Sequence, residues 1–196
     1  MMLEGIRGVL EPHFKSLLTV TDGRALVEAA LRLKPDLIIL DITMPLLNGI
    51  DAAVKIKKEL PRVKLLFVTM HVDPAYLEAA FNAGATGYVL KSAVREELLE
   101  AARAVLAGRI HVTPGLSGEN FERFRDPARA AATIHLSPRE RETLQLIAEG
   151  KAAKEIAHIL SISVKTVGFH RENIKRKLGL KSTAELTRHA MEQRLV

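Results

Sequence analysis

Two short, wholly apolar runs, Leu37-Ile38-Ile39-Leu40 and Leu65-Leu66-Phe67-Val68 within the strand-like segment 63–68, constrain this chain more than any other feature. A strand that shows one face to water alternates apolar and polar residues. An unbroken apolar run of this length reads instead as a strand covered on both faces. Helical patterns flank both runs. Leu3, Ile6, Val9 and Leu10 space like one face of a helix that Pro12 stops. Residues 25–33, 51–60, 74–82 and 94–107 give further helices, the first two of these closed by Lys34-Pro35 and Pro61. Strand signals at 17–20, before the turn Asp22-Gly23, and at 88–90 complete the alternation. Strands alternating with helices mean a parallel sheet with helices on both sides.

The pattern breaks after residue 108. Gly108, Pro114, Gly115, Gly118, Pro127 and the alanine run 128–132 predict a linker over 109–134. From 136 onward every pattern is helical. Ser137-Pro138-Arg139-Glu140 supplies a cap, a proline suited to the first helical position and a glutamate that can reach back. Gly150 ends that helix, and residues 154–160 make a short second one. Ser161-Ile162-Ser163 is a turn with Ser163 as the next cap. Val164, Val167, Ile174 and Leu178 then form one stripe that ends at Gly179, and residues 182–194 form a last helix. The expected domains are therefore 1–108 and 135–196.

Charge separates the same two regions. Residues 1–110 carry 14 Lys and Arg against 13 Asp and Glu, whereas residues 135–196 carry 12 against 7. An excess so local points to a polyanionic partner. The chain has no Cys, which excludes disulfides, thiol catalysis and cysteine-ligated zinc. Aromatics at 4% with no Trp argue against stacking platforms for single-stranded nucleic acid. No apolar run approaches the ~20 residues of a membrane helix, and the N-terminus lacks a signal-peptide pattern, so no membrane and a cytoplasmic location are expected.

Two helices joined by a tight turn, the second one basic, form a helix-turn-helix arrangement. The stripe leaves Lys165, Phe169 and Arg176 pointing outward, with Gly168 and Glu172 beside them and His170 and Arg171 nearer the core edge. Lys165, Lys175 and Arg176 suit phosphates. A large apolar side chain such as Phe169 opposite the core stripe is costly unless it meets a partner. A thymine methyl group or a protein surface would serve.

The motifs Leu136-Ser137-Pro138-Arg139-Glu140-Arg141-Glu142, Ala148-Glu149-Gly150-Lys151, Lys154-Glu155-Ile156-Ala157, Val164-Lys165-Thr166-Val167, His170-Arg171 and Lys177-Leu178-Gly179-Leu180 resemble the LuxR-type DNA-binding domain. The resemblance implies a dimer on double-stranded DNA, often formed through the last helix. It places Lys154, Lys165, Thr166, Gly168, Phe169, His170, Glu172, Lys175 and Arg176 at the DNA. Gly168 and Phe169 stand where a common family pattern has Glu and Thr, so an operator sequence does not carry over.

In the first domain, Asp41, Thr69 and Lys91 follow or end three successive strands. Parallel sheets bind ligands at the C-terminal ends of their strands. A carboxylate, a hydroxyl and a cation there suit acyl-phosphate chemistry. Asp41-Ile42-Thr43-Met44-Pro45, Asn48-Gly49, Val68-Thr69, Gly84-Ala85, Gly87-Tyr88 and Leu90-Lys91 resemble the receiver domain of two-component response regulators. With the C-terminal block, the chain resembles a NarL/FixJ-type regulator over nearly its whole length. The resemblance implies a flavodoxin-like α/β sheet followed by an all-α helix-turn-helix domain. It makes Asp41 the acceptor of phosphate from a histidine kinase, and Thr69, Tyr88 and Lys91 the switch.

The departure from that family is at the front. The chain starts inside the first helix, without the first strand and the acidic pair that a family receiver carries. Mg²⁺ would be left with the Asp41 carboxylate and the Thr43 backbone carbonyl, so weak metal binding and poor or absent phosphorylation are expected. The sheet is expected to shrink to four strands, and 17–20 sliding over to pair with 37–40 is one of three routes. A second chain covering the gap, or a start further upstream, are the other routes. Three rival functions stay open: a dimeric transcription factor that works without phosphorylation, a protein-interaction module anchored by Phe169, and an aspartyl-phosphate phosphatase. The last wants a second acid where Thr43 stands.

Overall fold

The computed structural model describes residues 2–72, 74–114, 116, 136–193 and 195–196. The chain divides into two compact units, one α/β and one all-helical. The α/β unit runs α1 (Met2–Leu10), α2 (Gly23–Leu33), β1 (Leu37–Leu40), α3 (Gly49–Glu59), β2 (Lys64–Thr69), α4 (Pro74–Asn82), β3 (Gly87–Leu90), a 3₁₀ turn over Lys91–Ala93, α5 (Val94–Leu106) and β4 (His111–Val112). The strands form one parallel sheet in the order β1-β2-β3-β4. The run on β2 is buried on both faces as expected, whereas on the edge strand β1 Ile38 and Leu40 are buried and Leu37 and Ile39 are half-buried. Leu66 and Val68 face one side of β2, where they pack with Leu10, Val89, Leu98, Ala102 and Val105 under α1 and α5. Leu65 and Phe67, on the other side by alternation, are fully buried too.

Two expectations change. Residues 17–20 are not a strand, and Leu17 and Leu18 are exposed. A strand exists only through its hydrogen-bonded neighbour, and among the described residues β1 pairs on one side alone, with β2. The sheet still has four strands because His111–Val112, expected in the linker, pairs with β3 at the opposite edge. His111 lies across from Gly87 and Val112 from Tyr88. The rest of the expected linker beyond residue 116, with the alanine run, lies outside the described residues.

The helical unit contains α6 (Pro138–Ala148), α7 (Ala153–Leu160), α8 (Val164–Leu178) and α9 (Thr183–Glu192). The start of α6 is the predicted capping box. Ser137 Oγ accepts from the Glu140 N–H, and a Glu140 carboxylate oxygen accepts from the Ser137 N–H at 2.7 Å. Leu144, Leu146, Ile156, Leu160, Val167, Ile174, Leu186 and Ala190 form a single core. Of the predicted stripe on α8, Val167 and Ile174 are buried and Leu178 packs against the core, but Val164 is 47% exposed. It stands in the first turn, ahead of the point where the helix meets its neighbours. Gly179 closes α8 at φ 68°, a left-handed conformation that glycine adopts without steric cost.

Candidate functional site

The first site is the corner at the C-terminal ends of β1, β2 and β3. Asp41 leaves β1, and its Oδ2 accepts from the Lys91 ammonium at 2.6 Å. Both side chains are about one-fifth exposed, at 23% and 21%, so water reaches the pair. The chain turns back beneath Asp41, where the Gly49 N–H donates to the Ile42 carbonyl at 2.7 Å. A Cβ on residue 49 would lie 1.9 Å from the Asp41 carbonyl oxygen, so this approach needs glycine.

Thr69 and Tyr88 also come to this corner, and both are fully buried. The Thr69 hydroxyl accepts from the His71 N–H at 3.3 Å. The Tyr88 hydroxyl points inward and donates to the His71 carbonyl at 2.9 Å. The His71 ring stacks on Tyr76 with centroids 4.2 Å apart. His71 therefore joins the two switch positions, a role the sequence reading did not assign. The signal available was its position two residues after Thr69.

The expected metal donors do not amount to a magnesium site. Thr43 lies in an exposed bend two residues beyond Asp41. Among the described residues no three His, Cys, Asp or Glu converge on a point that could hold a metal ion. Asp41 brings one carboxylate, already engaged by Lys91. Octahedral Mg²⁺ needs more than that from protein or bound phosphate.

The second site is α8. Ser163 caps it, its Oγ accepting from the Thr166 N–H at 3.0 Å, and the Ser163 and Thr166 hydroxyls lie 2.8 Å apart. Val167 and Ile174 hold the inner side of the helix. On the outer side Phe169 is 63% exposed, in edge contact with the His170 ring. Lys165, Glu172 and Arg176 are exposed with it, Thr166, Gly168 and His170 are half-buried, and Lys154 is exposed on α7. The charges are partly matched along the helix. Lys175 Nζ donates to Glu172 Oε1 at 3.2 Å, Arg171 lies 3.7 Å from the same oxygen, and Arg176 donates to Asn173 Oδ1 at 2.8 Å. Lys175, expected to meet phosphate, is tucked along the helix with a side chain 18% exposed. Arg171, placed nearer the core edge by the spacing, is exposed.

Under these helices lies an ion pair that the sequence reading missed. Lys177 Nζ, at the end of α8, donates to Glu140 Oε2 at 2.7 Å. Burial pushes the Glu140 carboxyl up, but the Lys177 ammonium and the Ser137 N–H and hydroxyl outweigh it and hold the group below the usual carboxylate range. The pair ties the start of the first helix to the end of the helix that carries the exposed face.

Fold and sites define a regulatory α/β unit with an acidic corner, linked to a helix-turn-helix unit. Residues 1–103 match the response regulator receiver domain, and residues 135–190 match the luxR family of bacterial regulatory proteins. The chain is 35% identical to the transcriptional regulatory protein MctR of Rhizobium johnstonii, over all of this chain and 91% of that protein. It is 37% identical to the oxygen regulatory protein NreC of Staphylococcus carnosus, over 91% of this chain and 85% of that one. A solved structure of the RcsB response regulator of Salmonella typhimurium superposes with a TM-score of 0.62 at 29% identity, over 97% of this chain and 91% of that one. A complex of RcsB with DNA gives 0.53 at 30% identity, over 96% and 92%. The chain belongs to the two-component response regulators that join a receiver domain to a luxR-family DNA-binding domain. No helix of the described residues is long and apolar enough to cross a membrane.

Proposed function

We propose that this transcription regulator binds double-stranded DNA as a homodimer, with α8 in the major groove. The observation that carries the reading is Phe169, a large apolar side chain held in water on the outer side of α8 between Lys165 and Arg176. In this reading Gly168, Phe169 and Glu172 face base edges. Lys154, Lys165, Thr166, His170, Lys175 and Arg176 serve the phosphates or frame the contact. Lys175 reaches DNA by leaving Glu172, which couples its phosphate contact to the freedom of that carboxylate. The reading gives the chain a cytoplasmic location and no enzymatic turnover.

Asp41 is the phosphoacceptor position, served by a histidine kinase. A phosphoryl group on its carboxylate would bring new negative charge beside Lys91 and draw the Thr69 hydroxyl away from the His71 N–H. That release would loosen the segment whose carbonyl holds Tyr88 inward. With Asp41 as the one carboxylate described at the corner, this chain is expected to take up phosphate poorly and to bind DNA without it.

Selection from random duplexes with the whole chain tests the reading. Enrichment of a two-fold symmetric sequence, with half-sites about one helical turn apart, is expected. Recovery of no common sequence would overturn it.

A further inference from the structure

The segment that follows β4 is bonded to the same strand end that carries Lys91. Thr113 follows β4 and is 5% exposed, so water does not stand in for its partners. Its N–H donates to the Tyr88 carbonyl at 3.0 Å. Its hydroxyl accepts from the Leu90 N–H at 3.0 Å and donates to Glu97 Oε2, on α5, at 2.8 Å. His111 Nε2 lies 3.5 Å from that carboxylate oxygen without a hydrogen bond to it. A hydroxyl has one donor and two acceptor sites, and here it donates to a carboxylate. Donation to a charged acceptor is the stronger kind, and it polarises the oxygen toward the Leu90 N–H. Leu90 immediately precedes Lys91, whose ammonium holds Asp41. Asp41, Lys91, Leu90, Thr113 and Glu97 are therefore one connected chain of contacts. Beyond Thr113 the Leu116 N–H donates to the Thr113 carbonyl, closing a turn after β4.

We propose that Thr113, with Glu97 as its acceptor, couples the Asp41–Lys91 corner to β4 and the turn that follows it. The proposal rests on reading that corner as the regulated site, and it names the positioning residue through which the corner acts. When the Asp41 charge changes, Lys91 shifts, the Leu90 peptide moves with it, and the Thr113 hydroxyl carries the movement into residues 111–116.

Hydrogen exchange of the intact chain, read on peptides covering 109–116, tests this as a double-mutant cycle. Asp41→Asn removes the Lys91 counter-charge and perturbs the corner from its far end. In the wild-type background and in Thr113→Ser, which keeps the hydroxyl, Asp41→Asn speeds exchange at 109–116 about fivefold or more. In Thr113→Val it does so by less than about twofold, because the connection is already cut. A purely structural Thr113 would give equal acceleration in the Val and wild-type backgrounds, and that overturns the proposal. So does no acceleration in the wild type. Glu97→Gln keeps the size and weakens the acceptor, and it serves if Thr113→Val does not fold. A reduced response there supports the coupling, and a full one refutes it. The assay uses no phosphodonor and no DNA, so failure of either activity tests the proposed function and leaves this result standing.

Discussion

Lys177→Met isolates the ion pair that closes the helical unit. Glu140 is 4% exposed, and its Oε2 holds both the Ser137 N–H and the Lys177 ammonium. Methionine keeps the alkyl stem and leaves a carboxylate facing apolar surroundings with the cap alone. Breaking a fully buried pair costs roughly 3–5 kcal/mol. Lys177 is 38% exposed, so water partly repairs the loss, and about 2 kcal/mol is the expected cost. Exchange of the most protected amides in α8, around the fully buried Ile174, then speeds by about 30-fold near neutral pH. The pH dependence has a definite sign. The folded Glu140 carboxyl is held low, so its contribution is present above the unfolded value of about 4.3 and fades as pH falls through the folded one. The gap between variant and wild type therefore narrows in acid, and Glu140→Gln in the variant background recovers part of it at neutral pH. A change under about twofold at pH 7, or a gap that persists in acid, would refute the assignment.

Three further outcomes follow from the geometry. Gly49→Ala puts a methyl group against the Asp41 carbonyl and should cost about 3 kcal/mol, read from the urea midpoint by tyrosine fluorescence. Both tyrosines, Tyr76 and Tyr88, lie in that unit, so an unchanged midpoint would contradict the close approach. Ser163→Ala removes the α8 cap and should cost about 1 kcal/mol while weakening duplex binding. Intact mass after exposure to Mg²⁺ and a small acyl phosphate should show little adduct; a large one lost in Asp41→Asn would restore phosphate control to this chain.

What could be read ahead of the structure was whatever local chemistry decides. The apolar runs Leu37-Ile38-Ile39-Leu40 and Leu65-Leu66-Phe67-Val68 marked strands, and Ser137-Pro138-Arg139-Glu140 marked a helix start. Asp41 and Lys91 were legible as a pair because both stand at strand ends that a parallel sheet brings together. What escaped depends on distant partners. Residues 17–20 look extended, but a strand needs an edge to join. His111–Val112 is two residues long, too short to show a period, although the β-branched Val112 and Thr113 before Pro114 hinted at it. Glu140 and Lys177 are 37 residues apart, and nothing near either marks the other. His71 entered the switch through its backbone, where side-chain identity carries no signal.

The central claim is that the outer side of α8 reads duplex DNA. The most direct measurement is binding of the whole chain to its selected duplex across a salt series, beside Lys165→Ala and Phe169→Ala. Affinity should fall steeply with salt in the wild type, with a log–log slope shallower by about 1 in Lys165→Ala. Phe169→Ala should keep the slope and lose about 1–3 kcal/mol of preference for the selected sequence. Binding that ignores both substitutions, or that does not respond to salt, would contradict the account.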